Sequence, residues 1–576
     1  LFMSYMRFKI INELKRINYV VGDQFKAQLI LLTILLIFSA FLEMVGIGLI
    51  PVIVTIVIDF ENVIRLLSDF LSNFQFTNNI ELQSYGVENF LICIFLFFLG
   101  KNIFILWIFY FETKLEYKIK KNITNRIFEK YIKSSYENFH LKRKSSELIR
   151  NLAIEVSNFS SYLNAFINLV RETSVFIFLI SLLLFANFKL TVLVLGFFLL
   201  IVTIYYFSFS KKIKMSGREY VELKEKIINK ISQIIYSIKE VFLYEKEEII
   251  QKNFVKDVNI YEFKIFFLNF TKKIPRVILE VSAIGLITFF LIFFFDKYNT
   301  VEIISIASLI GLCAIRMVPS LNTITNSIIN IKFYRTSFSI IHDELYEYYP
   351  GDNKFDNNLK VASFDRIELK NVTYYYYNSK VPIFKNLNLV ISNGELIKIT
   401  GSSGKGKSTF LNIISGLLKI KSGSLEFFEK DKILEKHKVK KLFAYVPQDI
   451  FIFDGTIKEN ILFGANEDVA KLSRCVEESN LSEFINNTSS GLETYCGQNG
   501  INLSGGQKQR LAIARALYAN KQILLFDEIT SNLDNENSEK IVETINRLKS
   551  SKTILYITHK DTRNLKYDKL LDLDAY

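Results

Sequence analysis

The 576-residue sequence predicts a multidomain protein in which an all-α domain of six transmembrane helices precedes an α/β domain. Crossing a bilayer takes about 20 apolar residues in a helix. Six segments meet this requirement, at 27–58, 90–111, 161–186, 189–209, 274–295 and 303–333. The α/β domain is indicated by a glycine-rich loop between a buried strand and a helix, near residues 395–415. Six such runs argue against the alternative, a helix bundle inside a large soluble protein.

Charge distribution gives the topology of the membrane domain. Loops 112–160 and 210–273 carry 11 and 14 Lys+Arg against 6 and 9 Asp+Glu, whereas 59–89 carries one Arg and five acids. Because positive loops stay on the cytoplasmic side, both termini and the two long loops are predicted to be cytoplasmic. The formal net charge of +13 therefore reports topology and not nucleic-acid binding. No cleavable signal peptide is evident, since the first apolar run is too long.

The predicted domains are a transmembrane domain at 1–340, a polar linker at 341–360 and an α/β domain at 361–576. The long loops 112–160 and 210–273 have helical patterns and too few apolar residues for the membrane, so they predict helices that extend into the cytoplasm. Residues 60–74 place apolar side chains at helical spacing. This segment suits either a helix on the outer membrane surface or one packed against the bundle.

The sequence GSSGKGKST begins directly after the strand ELIKIT and fits GxxxxGK[ST] from Gly401 to Ser408. Glycines allow backbone N–H groups to approach phosphate oxygens, and the following helix N-terminus adds positive potential. Lys407 can reach the β- and γ-phosphates, and the Ser408 hydroxyl can ligate Mg²⁺. The strand–loop–helix context predicts a nucleoside triphosphate site.

A second buried strand, QILLFDE, ends in the carboxylates Asp527 and Glu528. Asp527 suits a Mg²⁺ ligand, and Glu528 is placed to polarise an attacking water. His559 follows a further apolar strand, TILYIT. Its position after a strand expected to lie parallel to the Asp–Glu strand favours a role at the same site over a structural one.

The sequence NLSGGQKQR offers a second anion site, because Ser504, Gly505 and Gly506 place a hydroxyl and bare amides at a helix start. One triphosphate bound to one domain does not need two such sites. Two copies arranged head to tail could enclose two ATP molecules between them, which predicts a homodimer.

Together these motifs resemble the ATPase domain of ABC transporters, and the six spans ahead of it resemble the exporter type, fused as a half-transporter. The resemblance implies that Tyr376, within Tyr374–Tyr377, stacks on adenine, that Gln448 senses Mg²⁺ and the membrane domain, and that His559 contacts the γ-phosphate. It implies ATP and Mg²⁺ as cofactors, with metal contacts from Ser408, Gln448 and Asp527 and catalytic roles for Glu528 and His559. The implied ATP-binding set is Tyr376, Gly401, Ser402, Ser403, Gly404, Lys405, Gly406, Lys407, Ser408, Thr409, Gln448, Ser504, Gly505, Gly506, Gln507 and Asp534.

The sequence departs from the family pattern at three places. Gln498 stands where an acid is usual before LSGGQ, and Asn532 stands where alanine is usual in the D-loop at Ser531–Asp534. The chain also ends at Tyr576, before a usual C-terminal helical extension. None of these departures removes a catalytic group, so a homodimer is expected to have two competent sites.

Charged residues inside the apolar runs are candidates for substrate binding, because such charges are costly in a membrane. Lys101 and Arg316 lie midway through their runs, and Arg276 lies near the cytoplasmic end of the fifth. Cavity-facing cations would favour an anionic group such as a phosphate or pyrophosphate. The alternative is internal pairing, with Glu43 available to Lys101 or Arg316 and Glu280 available to Arg276.

The membrane domain also resembles bacterial lipid-linked oligosaccharide flippases, in the segments FLEMVGIGLIP, IPRVILE and IRMVPS. This resemblance implies transport of a polyprenyl-pyrophosphate oligosaccharide from the inner to the outer leaflet of a bacterial cytoplasmic membrane. The implied partners are a second copy of the chain, membrane lipid and a lipid-linked glycan.

Several alternatives share the ATPase motifs. They are an exporter of a peptide, a drug or another lipid, a soluble ABC ATPase of DNA repair or chromosome maintenance, and a channel or receptor gated by ATP. The six spans with alternating loop charge argue against the soluble class.

Overall fold

The computed structural model describes residues 12–13, 15–58, 87–137, 143–186, 188–294, 300–347, 363–376, 379, 381–435, 439–530, 533, 535–559 and 564–576. Two compact units form: Leu1–Ile132 with Arg143–Tyr348, and Lys133–Lys142 with Tyr349–Tyr576. The predicted outer helix at 60–74 lies outside the described residues.

Within the described residues, the first unit consists mainly of six long helices. They are α1 (Lys26–Ile58), α2 (Val87–Lys133), α3 (Val156–Ala186), α4 (Phe188–Tyr236), α5 (Glu247–Phe294) and α6 (Thr300–Tyr346). Shorter pieces are the 3-10 turn Asp23–Phe25, the helices Ser145–Arg150 and Ile238–Leu243, and a π-helical turn at Asn151–Glu155. All six predicted spans fall in these helices, except residue 295, which lies outside the described part of the chain.

Three stretches among the described residues are long and apolar enough to cross a membrane: Asp23–Ile50, Val87–Lys133 and Ser145–Phe185. Helix α4 has 49 residues. At about 1.5 Å per residue it is more than twice as long as the roughly 30 Å bilayer core. The cytoplasmic loops predicted at 112–160 and 210–273 are thus largely continuations of the spans.

Helix α3 packs against α1 and α6, and α4 packs against α5 and α6. Helix α6 continues to Tyr346, six residues beyond the boundary predicted at 340. It continues because Ile341 is fully buried and Leu345 packs against the same apolar cluster. Residues 348–360, the remainder of the predicted linker, lie outside the described residues.

The described part of the second unit contains two sheets. Strands β1 (Arg366–Tyr374), β2 (Phe384–Ser392), β4 (Ser422–Glu429) and β5 (Lys432–Ile433) form an antiparallel sheet in the order β2-β1-β4-β5. Strands β3 (Leu396–Thr400), β6 (Phe443–Val446), β7 (Ile523–Asp527), β8 (Thr553–Ile557) and β9 (Lys569–Asp572) form a parallel sheet in the order β6-β7-β8-β3-β9.

Helices of the second unit are α7 (Lys407–Ile414), α8 (Ile457–Leu462), α9 (Val469–Glu478), α10 (Ser482–Asn486), α11 (Gly505–Tyr518) and α12 (Asn535–Leu548). Alternate residues of the parallel sheet enter two different cores. Ile399 and Ile557 join the core shared with α7 and the antiparallel sheet, whereas Phe526 and Tyr556 join the core shared with α11 and α12. Burial on both faces explains the continuous apolar runs of these strands.

Gly217 on α4 lies against the backbone of α6. A Cβ at this position would lie 2.2 Å from the carbonyl oxygen of Phe333. Small residues allow membrane helices to approach to backbone contact, so this glycine fixes the spacing of the two helices.

We predict that Gly217→Ala destabilises the helical unit by about 1–3 kcal/mol, because the added methyl group must push the helices apart. The measurement is the thermal unfolding midpoint of the purified protein in detergent. Gly196→Ala is the matched control, since nothing lies within 4 Å of its added Cβ. Equal midpoints for the two variants would contradict the assigned role of Gly217.

Candidate functional site

The parallel sheet brings the predicted ATPase residues to one edge. Asp527 is paired in register with Ile557, and Ile557 with Ile399, in three adjacent parallel strands. The segments that follow β3, β7 and β8 therefore leave the sheet at the same edge, as the carboxyl ends of parallel strands must. These segments contain the glycine-rich loop, Glu528 and His559.

The glycine-rich loop ends at Gly406, which caps α7 with a φ of 83°. A Cβ here would lie 2.2 Å from a methyl carbon of Ile383, so both the conformation and the space require glycine. Lys407 is buried, and its Nζ donates to the carbonyl oxygens of Gly401 at 3.0 Å and Ser402 at 3.1 Å. The ammonium group is thus held over the loop, where the β- and γ-phosphates are expected.

Glu528 occupies the left-handed region with a φ of 49°, which costs a non-glycine residue about 1–3 kcal/mol. Its backbone N–H donates to the carbonyl oxygen of Ile557 at 3.1 Å, which ties the turn to β8. One carboxylate oxygen accepts from Gln448 Nε2 at 3.0 Å, and the other lies 3.1 Å from His559 Nε2. Gln448 and His559, which belong to two other motifs, therefore both contact the Glu528 carboxylate.

Asp527 is 3% exposed, and its Oδ2 accepts a hydrogen bond from the Tyr445 hydroxyl at 3.1 Å. Its Oδ1 is buried and has no hydrogen-bond partner among the described residues. Burial raises the pKa of the Asp527 carboxyl, and hydrogen bonds from Ser408 and Tyr445 oppose that rise. An open carboxylate oxygen beside a serine hydroxyl is the donor set that Mg²⁺ prefers, so these residues fit the metal.

Other predicted ATP-binding residues are placed as follows. The Tyr376 hydroxyl lies 2.8 Å from Thr409 Oγ1, which brings the predicted adenine-stacking residue to the first turn of α7. Ser504 caps α11: its Oγ accepts from Gln507 N at 3.3 Å and its N–H donates to Gln507 Oε1 at 2.8 Å. Asp534, Ser531 and Asn532 lie outside the described residues. The nucleotide contacts of all these residues stay predictions.

Asp574 is a residue of the loop site that sequence reasoning missed. Its carboxylate accepts from the Ser402 backbone N–H at 2.9 Å and from Ser402 Oγ at 2.7 Å. These bonds lower the pKa of Asp574, so the group stays ionised. The only sequence signal is an acidic residue just after the last strand, which is too common to be informative.

The charged residues predicted in the membrane are largely paired. Arg316 Nη2 lies 2.6 Å from Glu43 Oε2, and its Nη1 lies 3.4 Å from Glu172 Oε2. Glu172 also accepts from Ser320 Oγ at 2.7 Å. Sequence reasoning missed Glu172, although its position inside the third apolar run was an available signal.

Arg276 pairs with Glu280 at 2.8 Å, one helical turn away. Lys101 Nζ lies 4.8 Å from the centre of the Phe98 ring, and 3.2 Å from the position a Cβ would take at Gly46. Substrate binding by Lys101, Arg276 and Arg316 stays a prediction.

Both units match known family models. Residues 384–531 match the model described as ABC transporter, and residues 29–315 match the model described as ABC transporter transmembrane region. The chain is an ABC transporter. Its membrane and ATPase domains are fused in one polypeptide, and ATP hydrolysis drives export, as the motifs predicted.

Relatives of this transporter include the ATP-dependent lipid A-core flippase of Wigglesworthia glossinidia brevipalpis, 28% identical over 488 residues that cover 80% of each chain. A putative export ATP-binding/permease protein of Rickettsia conorii is 27% identical and covers 81% of each chain. Among solved structures, a bacterial Atm1-family ABC exporter with ATP bound has a TM-score of 0.75 at 16% identity, covering 96% of this chain and 94% of that one. This match supports the predicted fold.

We predict that Glu528→Gln lowers ATP turnover by at least about 10²-fold, because the amide cannot accept the proton of an attacking water. ATP binding is expected to persist, so the variant should accumulate in an ATP-bound state. Turnover and retained nucleotide are measured on the purified transporter, with the exposed Glu543→Gln on α12 as the control. Wild-type turnover by Glu528→Gln would remove Glu528 from the role of general base.

We predict that Asp574→Ala raises the KM for ATP about threefold to tenfold with a smaller effect on kcat, because the loop loses acceptors for two Ser402 donors. Asp574→Asn retains one acceptor oxygen and is expected to stay within about twofold of the wild type. Steady-state ATPase kinetics provide the measurement. An unchanged KM in Asp574→Ala would show that the contact does not organise the loop.

Proposed function

We propose that this ABC exporter is a flippase that moves an anionic lipid from the inner to the outer leaflet of a bacterial cytoplasmic membrane. Lipid transport is favoured by the names of its relatives, several of which are lipid A-core flippases. The observation that best supports transport driven by ATP hydrolysis is the position of the Glu528 carboxylate between Gln448 and His559.

The transported lipid carries a phosphate or pyrophosphate headgroup in this proposal. One candidate is a polyprenyl-pyrophosphate oligosaccharide, which the likeness of the membrane segments to oligosaccharide flippases favours. The other is a lipid A-type glycolipid, which the names of the relatives favour. Both join a negatively charged headgroup to long apolar chains, so one transport path could serve either class.

Within the ATPase domain, Lys407 and the backbone of the glycine-rich loop bind the phosphates of ATP. Ser408, Asp527 and Gln448 hold Mg²⁺, which supplies charge stabilisation for the transferred phosphoryl group when bound. Glu528 then orients and polarises the attacking water, and His559 fixes the carboxylate and reaches the γ-phosphate. The bonds of Glu528 to Gln448 and His559 keep both neighbours in place for this role.

The transporter acts as a homodimer in this proposal, with each glycine-rich loop facing the partner's LSGGQ segment. An exposed apolar surface supports it: the short helix Ile238–Leu243 and its flanks expose Tyr236, Phe242, Leu243 and Tyr244. Exposed aromatic groups on a cytoplasmic turn are typical of an interface. This turn lies within 236–247, a segment that resembles those docking onto ATPase domains in the family.

We predict that the purified transporter, in liposomes, moves fluorescent polyprenyl-pyrophosphate oligosaccharide or fluorescent lipid A between leaflets only when ATP is supplied. Glu528→Gln is the inactive control, and Glu543→Gln is the matched active one. The measurement is the fraction of probe that becomes inaccessible to a membrane-impermeant quencher.

Movement of neither lipid by a preparation with healthy ATPase activity would reject the flippase proposal. It would direct the search to peptides and drugs. Movement of one lipid alone would assign the substrate.

A further inference from the structure

A buried polar cluster in the helical unit brings together residues next to the places where the chain passes between the two units. The chain leaves the helical unit after residue 132, returns at Arg143 and leaves again after residue 348. Tyr131 directly precedes the first of these places, and Glu344 lies in the last turn of α6, close to the third. These three positions, far apart in sequence, share one cluster of contacts.

Asn151 lies at the centre of this cluster. Its side chain is fully buried, and both polar atoms of its amide have partners. The Nδ2 atom donates to Glu344 Oε1 at 3.0 Å and to the Tyr131 hydroxyl at 3.4 Å. The Oδ1 atom accepts from Arg150 Nη2 at 2.9 Å. We refer to Tyr131, Arg143, Arg150, Asn151 and Glu344 as the polar joint.

Two arginines balance the charge of the polar joint. Arg143 donates a hydrogen bond to the same Glu344 oxygen that accepts from Asn151. Arg150 donates to Glu225, so the joint also reaches α4. Glu344 is only 4% exposed, and a buried carboxylate that loses its partners is strongly destabilising. The positions of Arg143, Asn151 and Glu344 are therefore tightly linked.

Asn151 also begins a π-helical turn, Asn151–Glu155, which lies between the helix Ser145–Arg150 and α3. Such turns are rare and are frequently found at functional sites. Glu155 ends the turn and is fully buried, and its Oε1 has no hydrogen-bond partner among the described residues. A buried oxygen without a hydrogen bond costs stability. This cost favours a functional role for the turn over a purely structural one.

The segment 133–142 belongs to the second unit, in which Tyr136 packs against the core shared by α7 and the antiparallel sheet. Movement of this segment is passed to the helical unit at its two ends, beside Tyr131 and at Arg143. Because ATP hydrolysis drives export in an ABC transporter, movements of the ATPase domain have to reach the spans. Networks of hydrogen bonds and ion pairs are one physical carrier of such coupling.

We propose that Asn151 is a positioning residue for energy coupling, which holds Tyr131 and Glu344 together so that both ends of segment 133–142 move with the end of α6. Without its amide, the ATP site keeps its own geometry, since none of the predicted ATP-binding residues belongs to the polar joint. Movement of the ATPase domain then no longer reaches the spans in full. This coupling role applies to an ABC exporter of any substrate.

The test measures amide hydrogen exchange of the full-length transporter in nanodiscs, with and without AMP-PNP and Mg²⁺, a non-hydrolysable ATP analogue. In the wild type, we expect the analogue to change exchange in the glycine-rich loop and also in residues 145–160 and 335–346. Asn151→Leu keeps a similar volume without the amide. Its response in the glycine-rich loop should persist, whereas its response in the two helical segments should fall at least about threefold.

Two further variants separate coupling from stability. Tyr131→Phe removes only a hydroxyl group, and it is expected to weaken the same helical response even if Asn151→Leu does not fold. Asn164→Leu removes another amide from α3, which donates to Glu116 on α2 at 3.4 Å. This matched control should respond to the analogue as the wild type does, and thermal unfolding midpoints of all variants show whether stability is comparable.

Three outcomes of the exchange experiment would overturn the proposal. The first is a wild-type response of residues 145–160 and 335–346 in Asn151→Leu and Tyr131→Phe. The second is an equal loss of response in Asn151→Leu and Asn164→Leu, which would show an effect of stability alone. The third is a wild type in which the analogue changes exchange only in the ATPase domain.

ATP turnover and lipid movement in liposomes give a second readout. Asn151→Leu should keep its KM for ATP within about twofold of the wild type, while fluorescent lipid A moved per ATP hydrolysed should fall at least about threefold. An unchanged ratio would overturn the coupling role. This readout rests on the proposed flippase function. If the wild type moves no lipid, the flippase proposal is wrong, and the exchange experiment by itself decides the role of Asn151.

Discussion

The ATPase domain depends on the parallel alignment of β6, β7, β8 and β3. This alignment places the ends of four strands, distant in sequence, at one edge of a sheet that is buried on both faces. Glu528 then turns through a left-handed conformation, which directs its carboxylate between Gln448 and His559. The strain of about 1–3 kcal/mol at Glu528 is offset by the hydrogen bond to Ile557 and by the two side-chain partners. The rigid strands therefore hold the Glu528 carboxylate in a fixed position.

The membrane domain follows a different constraint, since an unpaired charge in a bilayer is costly. Arg316 on α6 meets Glu43 on α1 and Glu172 on α3, so one guanidinium links three helices. These paired charges therefore join helices within the bundle.

Most of the fold was predictable because its signals are local. Six apolar runs, a glycine-rich loop after a strand and two carboxylates at a strand end each follow from neighbouring residues, and the family match and the fold confirm the two-domain arrangement. What could not be predicted depends on contacts between distant residues. Glu172 is visible as a charge inside an apolar run, but its pairing with Arg316 has no local signature. The same holds for the bonds of Asp574 to the glycine-rich loop and for the approach of α4 to α6 at Gly217, because each contact depends on how helices and strands pack.

ATP hydrolysis at the Glu528 site is proposed to drive lipid movement. The most direct test measures ATP turnover and lipid flipping in the same liposomes across graded variants: the wild type, Gln448→Ala, His559→Ala and Glu528→Asp. The first two variants each remove one side chain that contacts Glu528, and the third shortens Glu528 itself, so their turnover rates should differ. We expect flipping to fall in proportion to turnover, on one line through the origin. Flipping that continues at the wild-type rate in a variant without turnover would show that hydrolysis at Glu528 does not drive lipid movement.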